Sequence, residues 1–181
     1  AVSLFELFKA GIGPSSSHTV GPMEAARRFA GGLDDECLLA SVHRLKVSLY
    51  GSLGATGKGH GTGPAVMMGL EGEQPARIDP EQMPGRLERI RSTGTLSLAG
   101  QHQIRFREST DIVYYRRKAL PEHPNGMVCQ AFDEHGQCLC EHTYYSVGGG
   151  FVVAANADGS LEIRADDTPL PYPFNSGKTL L

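Results

Sequence analysis

The chain has 181 residues, 40% of them hydrophobic and 20% charged, with a formal net charge of −3. That length supports one domain with its own core, and the mild negative balance gives no reason to expect nucleic acid or an anionic membrane as partner. No apolar run is long enough to cross a bilayer, and Ala1 to Lys9 lacks the basic start and the cleavage site of a signal peptide. The cysteines, Cys37, Cys129, Cys138 and Cys140, show no C-x-x-C spacing. They read as reduced thiols of a cytoplasmic protein, buried or half-buried as small hydrophobes rather than metal ligands.

Ser3 to Lys9 has a capping-box pattern, Ser3 with Glu6, and predicts a short helical turn. A second helix is expected from Ser17 or His18 to Phe29, with Val20, Met23, Ala26 and Phe29 on one face and Gly31-Gly32 as its stop. Val42 to Tyr50 alternates as a half-buried strand, with Leu45, Val47 and Leu49 inward. A glycine-rich stretch from Gly51 to Gly63 follows as a loop. Pro64 to Leu70 then reads as an apolar helix with Pro64 at its first position. Pro75 to Asp79 suggests a short edge strand, and Pro84 to Arg91 a polar helix.

The second half changes character. Thr95 to Leu98, Gln103 to Arg107 and Asp111 to Tyr115 are short strands. Met127 to Phe132 and Gln137 to Tyr145 form a hairpin around Glu134-His-Gly136, and Gly148-Gly-Gly150 separates it from Phe151 to Ala154. The pattern is an antiparallel meander, not repeated βαβ units. The expected fold class is α+β: a mixed, largely antiparallel sheet with helices packed on one face. Pro169 to Phe174 is stiff and linker-like, and Asn175 to Leu181 looks like the opening of a helix that continues in a further segment.

Chemistry concentrates in two loops. Gly-Ile-Gly-Pro-Ser-Ser-Ser-His-Thr-Val-Gly-Pro-Met, residues 11–23, sets Ser15, Ser16, Ser17, His18 and Thr19 between two Gly-Pro pairs. A helix cap needs one hydroxyl. Four hydroxyls and an imidazole suit a small carboxylate or phosphate and a proton transferred near neutral pH. Gly57-Lys-Gly-His-Gly-Thr-Gly63 presents Lys58 and His60 but is not a Walker A loop: Ser52 stands where that motif needs Gly, and Gly59 where it needs Ser or Thr. A surface loop and an anion site both remain open for it. Weaker candidates are His123 and Asn125, in a Pro-bounded turn, and Gly148 and Gly149, which suit a bulge or turn equally well. His43 and His102 read as structural. No metal-ligand set is assigned to this chain.

Taken together, several blocks resemble one family, the bacterial iron–sulfur L-serine dehydratases. They are Ser3-Leu-Phe-Glu-Leu-Phe-Lys with residues 11–23, Tyr50-Gly-Ser-Leu with Thr56-Gly-Lys-Gly-His60, Leu120-Pro with His123 and Asn125-Gly-Met127, Thr143 to Phe151, and Pro171-Tyr-Pro-Phe174. The resemblance implies an N-terminal β domain over residues 1–168, with 169–181 as linker and start of a catalytic α domain, fused or separate. It implies a reaction taking L-serine to pyruvate and ammonia, and a 4Fe-4S cluster held by the α domain and not by this chain. A homo-oligomer, a dimer, is the expected assembly. Within that picture His60 and His18 are the acid–base candidates, and Ser15, Ser16, Ser17, Thr19 and Lys58 the substrate-binding ones. Two readings compete with it. The same domain also resembles the allosteric substrate-binding domain of some D-3-phosphoglycerate dehydrogenases, which makes a purely regulatory L-serine or small-anion site the alternative. An unrelated phosphate-binding enzyme is the other.

Overall fold

Alternating apolar residues in β1 (Arg44–Tyr50) bury Leu45, Val47 and Leu49 on one side of the sheet. In the computed structural model, which describes residues 13–155 and 161–162, β1 pairs antiparallel with β5 (Gly126–Phe132). The register sets Leu45, Val47 and Leu49 opposite Ala131, Cys129 and Met127, so one continuous face is apolar. The meander continues through β6 (Cys138–Gly148), β7 (Phe151–Ala155) and β8 (Leu161–Glu162). At the far edge β4 (Ile112–Tyr115) pairs parallel with β1, giving the strand order β4-β1-β5-β6-β7-β8. A parallel pair requires a long crossover. Here that crossover holds four helices and a separate hairpin, β2 (Thr95–Leu98) with β3 (His102–Arg105). The fold is therefore α+β with a mixed, largely antiparallel sheet, as expected.

Helix α1 (Gly21–Asp35) covers the apolar face. Met23, Ala26, Phe29, Ala30 and Leu33 are buried against the sheet and against helix α3 (Thr62–Leu70). Gly31-Gly32 does not end α1. Each glycine costs a helix about 1 kcal/mol, and burying Leu33 contributes about 1.5–3 kcal/mol, so the helix runs on one more turn. Cys37, at φ +58°, supplies the left-handed residue that ends it. Cys37 N–H donates to Asp34 C=O and Leu38 N–H to Leu33 C=O, the paired bonds of a Schellman cap. Cys37 is thus exposed, as is Cys138, against the expectation of burial, whereas Cys129 is buried and Cys140 half-buried.

Other boundaries also moved. The 51–63 stretch contains a helix, α2 (Gly51–Thr56), and α3 starts at Thr62 rather than Pro64. Pro75 to Asp79 is not a strand. Arg77 and Ile78 N–H both donate to Gln74 C=O, curling the segment so that Ile78 reaches the core. The polar helix is α4 (Met83–Thr93), and a short helix, α5 (Glu108–Asp111), precedes β4. Ser3 to Lys9, Pro169 to Phe174, Asn175 to Leu181 and the 168/169 boundary lie outside the described residues.

Helices α1 and α3 approach closely because position 69 is glycine. A Cβ there would stand 2.1 Å from the Met23 carbonyl oxygen. Gly69→Ala should therefore cost about 1–3 kcal/mol, as other overpacked cores do, and lower the urea midpoint. An unchanged midpoint would contradict this packing.

Candidate functional site

The serine loop folds into a π-type turn, Ser16–Val20, that leads directly into α1. Gly21 N–H donates back five residues to Ser16 C=O, and Thr19 N–H to Ser15 C=O at 2.9 Å. Such turns recur at functional sites because they re-aim side chains. Pro22 matters here too. It has no N–H for the carbonyl four residues back, that of His18. The buried Thr62 hydroxyl donates to that carbonyl instead, at 2.6 Å. The turn is thereby tied to the start of α3.

Helix α2 faces this turn. It leaves β1 at Gly51, whose φ of +56° and whose contact with Pro124 both demand glycine: a Cβ would lie 2.1 Å from the Pro124 carbonyl oxygen. Ser52 N–H donates to that same carbonyl at 2.7 Å. The turn bearing His123 and Asn125 is therefore fastened to α2. One helical turn apart on α2, Ser52 and Thr56 both present hydroxyls to His18 Nε2, at 3.0 and 3.1 Å. Ser17 Oγ lies 3.0 Å from His18 Nδ1, with Ser15 Oγ 3.3 Å from Ser17 Oγ.

After α2 the chain reverses through Gly57–Gly61, and His60 Nδ1–H donates to the Thr56 carbonyl at 2.9 Å. The imidazoles of His18 and His60, distant in sequence, thus lie with ring centroids 4.9 Å apart and planes tilted by 39°. Burial lowers the pKa of His18, the neighbouring His60 lowers it further, and a contact with Ser52 works in the opposite direction; the net is below the usual imidazole value. The folded state therefore favours neutral His18. Its contribution to stability is full above the ordinary imidazole pKa and is lost as pH falls through the lowered one. NMR titration should find His18 below the ordinary value, and His60→Gln should raise it only part of the way, because burial remains. A His18 pKa unmoved by that substitution would contradict the pairing.

The remaining candidates are placed as follows. Ser16 is exposed on the π-type turn, and Lys58 is exposed on the reversal beside His60. Thr19 is buried and points inward, its hydroxyl donating to Ser15 C=O. His123 is half-buried, and its Nδ1 accepts from Asn125 N–H at 3.1 Å. Asn125 Nδ2 donates to Ser146 C=O, while Asn125 Oδ1 and Ser146 Oγ are buried with no hydrogen-bond partner among the described residues. Gly148, Gly149 and Gly150, all at positive φ, make the β6–β7 turn. His102 Nε2–H donates to Val42 C=O, a structural bond as expected, but His43 is exposed. Ser52, Thr56 and Thr62 were not among the sequence candidates. The signal was there, a Ser and a Thr four residues apart, but it needs a helix that the glycines disguise. Among the described residues no group of three or more His, Cys, Asp or Glu side chains is placed to hold a metal ion. No helix among them is long and apolar enough to cross a membrane.

Residues 3–157 match the family model described as serine dehydratase beta chain. The chain belongs to that family. It is 56% identical over 181 residues to an L-serine dehydratase of Streptomyces coelicolor and 43% identical over 181 residues to L-serine dehydratase 1 of Escherichia coli. An L-serine dehydratase of Helicobacter pylori is 40% identical over 179 residues. These matches cover 100%, 99% and 99% of this chain but 40%, 39% and 39% of the relatives. This beta chain thus spans about two-fifths of their length.

Proposed function

We propose that this beta chain forms the substrate-gripping and proton-transferring side of an L-serine dehydratase site, completed by a catalytic α domain. The observation that carries the reading is the meeting of His18 and His60, 4.9 Å apart, inside a ring of hydroxyls from Ser15, Ser17, Ser52 and Thr56. In the proposed reaction the Cα–H bond of L-serine breaks and its electron pair forms the Cα–Cβ double bond. The β-hydroxyl departs with its bonding pair and, with a proton equivalent to the one taken from Cα, makes up the released water. The resulting aminoacrylate tautomerises and is hydrolysed to pyruvate and ammonia.

His60 is the group we assign to the Cα proton. Its Nδ1 is committed to a backbone carbonyl, so its Nε2 is the atom open to substrate. His18, held at both ring nitrogens, orients the substrate. The Ser15, Ser16 and Ser17 hydroxyls and Lys58 take the carboxylate, and Thr19 holds their turn in shape. His123, Asn125, Gly148 and Gly149 belong to the surrounding wall. Cytoplasmic location and assembly as a homodimer are part of the same reading.

The resemblance also calls for a 4Fe-4S cluster, and the cysteines described here do not suit one. Cys129 is fully buried with its thiol pKa pushed up by burial, Cys37 is fixed at a helix end, and no cluster-like grouping forms among the described residues. We assign the cluster to the α domain. The testing variant is His60→Ala in the full-length protein, read by pyruvate formation from L-serine. The regulatory alternative predicts wild-type turnover for that variant.

A further inference from the structure

We propose that Thr56 is a positioning residue that sets the ring tautomers of both His18 and His60, and so leaves His60 Nε2 as the bare nitrogen of the pair. The inference deepens the functional reading above and rests on it for its catalytic meaning; its physical content comes from counting protons.

A carbonyl oxygen only accepts. The contact of 2.9 Å between His60 Nδ1 and the Thr56 carbonyl therefore requires the proton on Nδ1, and a neutral His60 carries a lone pair on Nε2. That carbonyl is among the last of α2, and it also accepts from the backbone N–H groups of Gly59 at 3.0 Å and His60 at 3.3 Å. The ring is docked where the helix end offers an acceptor.

The same residue's side chain acts on His18. Thr56 Oγ1 has one proton, and it is directed to the Ser52 carbonyl at 3.0 Å. Toward His18 Nε2, 3.1 Å away, Thr56 Oγ1 then presents only lone pairs, so the ring must supply the proton. Ser52 Oγ, 3.0 Å from the same nitrogen, shares it. With its proton on Nε2, neutral His18 accepts at Nδ1 from the Ser17 hydroxyl at 3.0 Å. Every contact is then matched, donor to acceptor. The opposite tautomer would set the Nε2 lone pair against that of Thr56 or break the bond to Ser52 C=O. Thus one threonine, through its carbonyl and its hydroxyl, gives neighbouring imidazoles opposite tautomers. His18 faces the hydroxyl cluster as a fixed donor and acceptor, while His60 keeps one nitrogen for exchange.

Thr56 is exposed, so Thr56→Val removes the hydroxyl with little packing cost, and Thr56→Ser keeps it. The probe is two-bond proton–nitrogen NMR of the full chain labelled with 15N-histidine, held at pH 8 so that neutral rings dominate. Resonances are assigned with His18→Gln and His60→Gln. His60 should show a protonated Nδ1 and a bare Nε2, and His18 the reverse. Thr56→Val should turn His18 into a mixture of tautomers, and Thr56→Ser should restore the single form. In the full-length enzyme Thr56→Val should lower kcat about five- to tenfold with KM little changed, the worth of one neutral hydrogen bond, and Thr56→Ser should recover it. A proton on His60 Nε2, or a Thr56→Val protein with wild-type ring nitrogens, overturns the proposal. The NMR result does not depend on turnover. Nitrogens as predicted support the tautomer assignment even if His60→Ala proves fully active, an outcome that would overturn only the catalytic reading beneath it.

Discussion

Replacing His60 with alanine in the full-length protein should lower kcat for L-serine about 10²–10⁴-fold, the range contributed by a positioned general base. The expectation follows from geometry. His60 sits on a reversal between two helices, anchored through Nδ1, while its neighbour His18, 4.9 Å away, is engaged at both ring nitrogens and so not free to take over. Fold stability should be almost unaffected, because His60 is only half-buried and its one side-chain bond goes to a carbonyl near the surface. A large kinetic effect with an unchanged denaturation midpoint would separate chemistry from folding. Normal turnover would leave the site a regulatory one.

The largest expected effect on stability lies elsewhere, at Glu71. It lies just after α3, its side chain 1% exposed, and accepts from Arg86 Nη2 at 2.7 Å, Arg89 Nη2 at 2.6 Å and Ser97 N–H at 3.1 Å. Burial works against its charge, but the hydrogen bonds from Arg86 and Arg89 and from the Ser97 backbone more than offset that and hold its pKa below the usual carboxylate value. One carboxylate thus joins α3, α4 and β2. Removing one member of a buried pair typically costs about 3–5 kcal/mol. Arg86 and Arg89 keep partial access to water, which places Glu71→Ala near the lower end, about 3 kcal/mol. The pH dependence has a definite sign. A carboxylate with a depressed folded pKa contributes fully above its unfolded pKa and loses that contribution as pH falls through the folded one. Urea titrations at pH 7 and at acid pH should therefore differ less for Glu71→Ala than for wild type. A loss below about 1 kcal/mol, the level of a surface pair, would contradict the account.

Much of the framework was legible where a period is strong. The alternation in β1, the hairpin of β5 and β6, and the α1 face of Met23, Ala26 and Phe29 all read directly from residue spacing. What was not legible came from competition between local signals and packing. Gly31-Gly32 looks like a stop, yet buried Leu33 carries the helix to a cap built on Cys37, a residue type not usually found at such an angle. Glycines at 51, 54 and 57 look like a loop, yet they allow close approach of α2 to its neighbours, such as Gly51 to Pro124 and Gly54 to Tyr115. Hiding α2 also hid Ser52 and Thr56, whose meaning depends on helical spacing. The serine loop and His60 stood out by composition alone, but only the bonds from α2 and Thr62 to His18 and the chain reversal after α2 bring them together.

Catalysis of this kind requires the His18–His60 pair to face substrate. The most direct measurement is a crystal structure of the full-length protein with L-serine bound. We expect the amino acid to lie against the π-type turn, its carboxylate within hydrogen-bond reach of the Ser15–Ser17 hydroxyls and its Cα about 3–3.5 Å from His60 Nε2, a near-attack distance. L-serine seated elsewhere in the full-length protein, with this pair turned away to solvent, would contradict it.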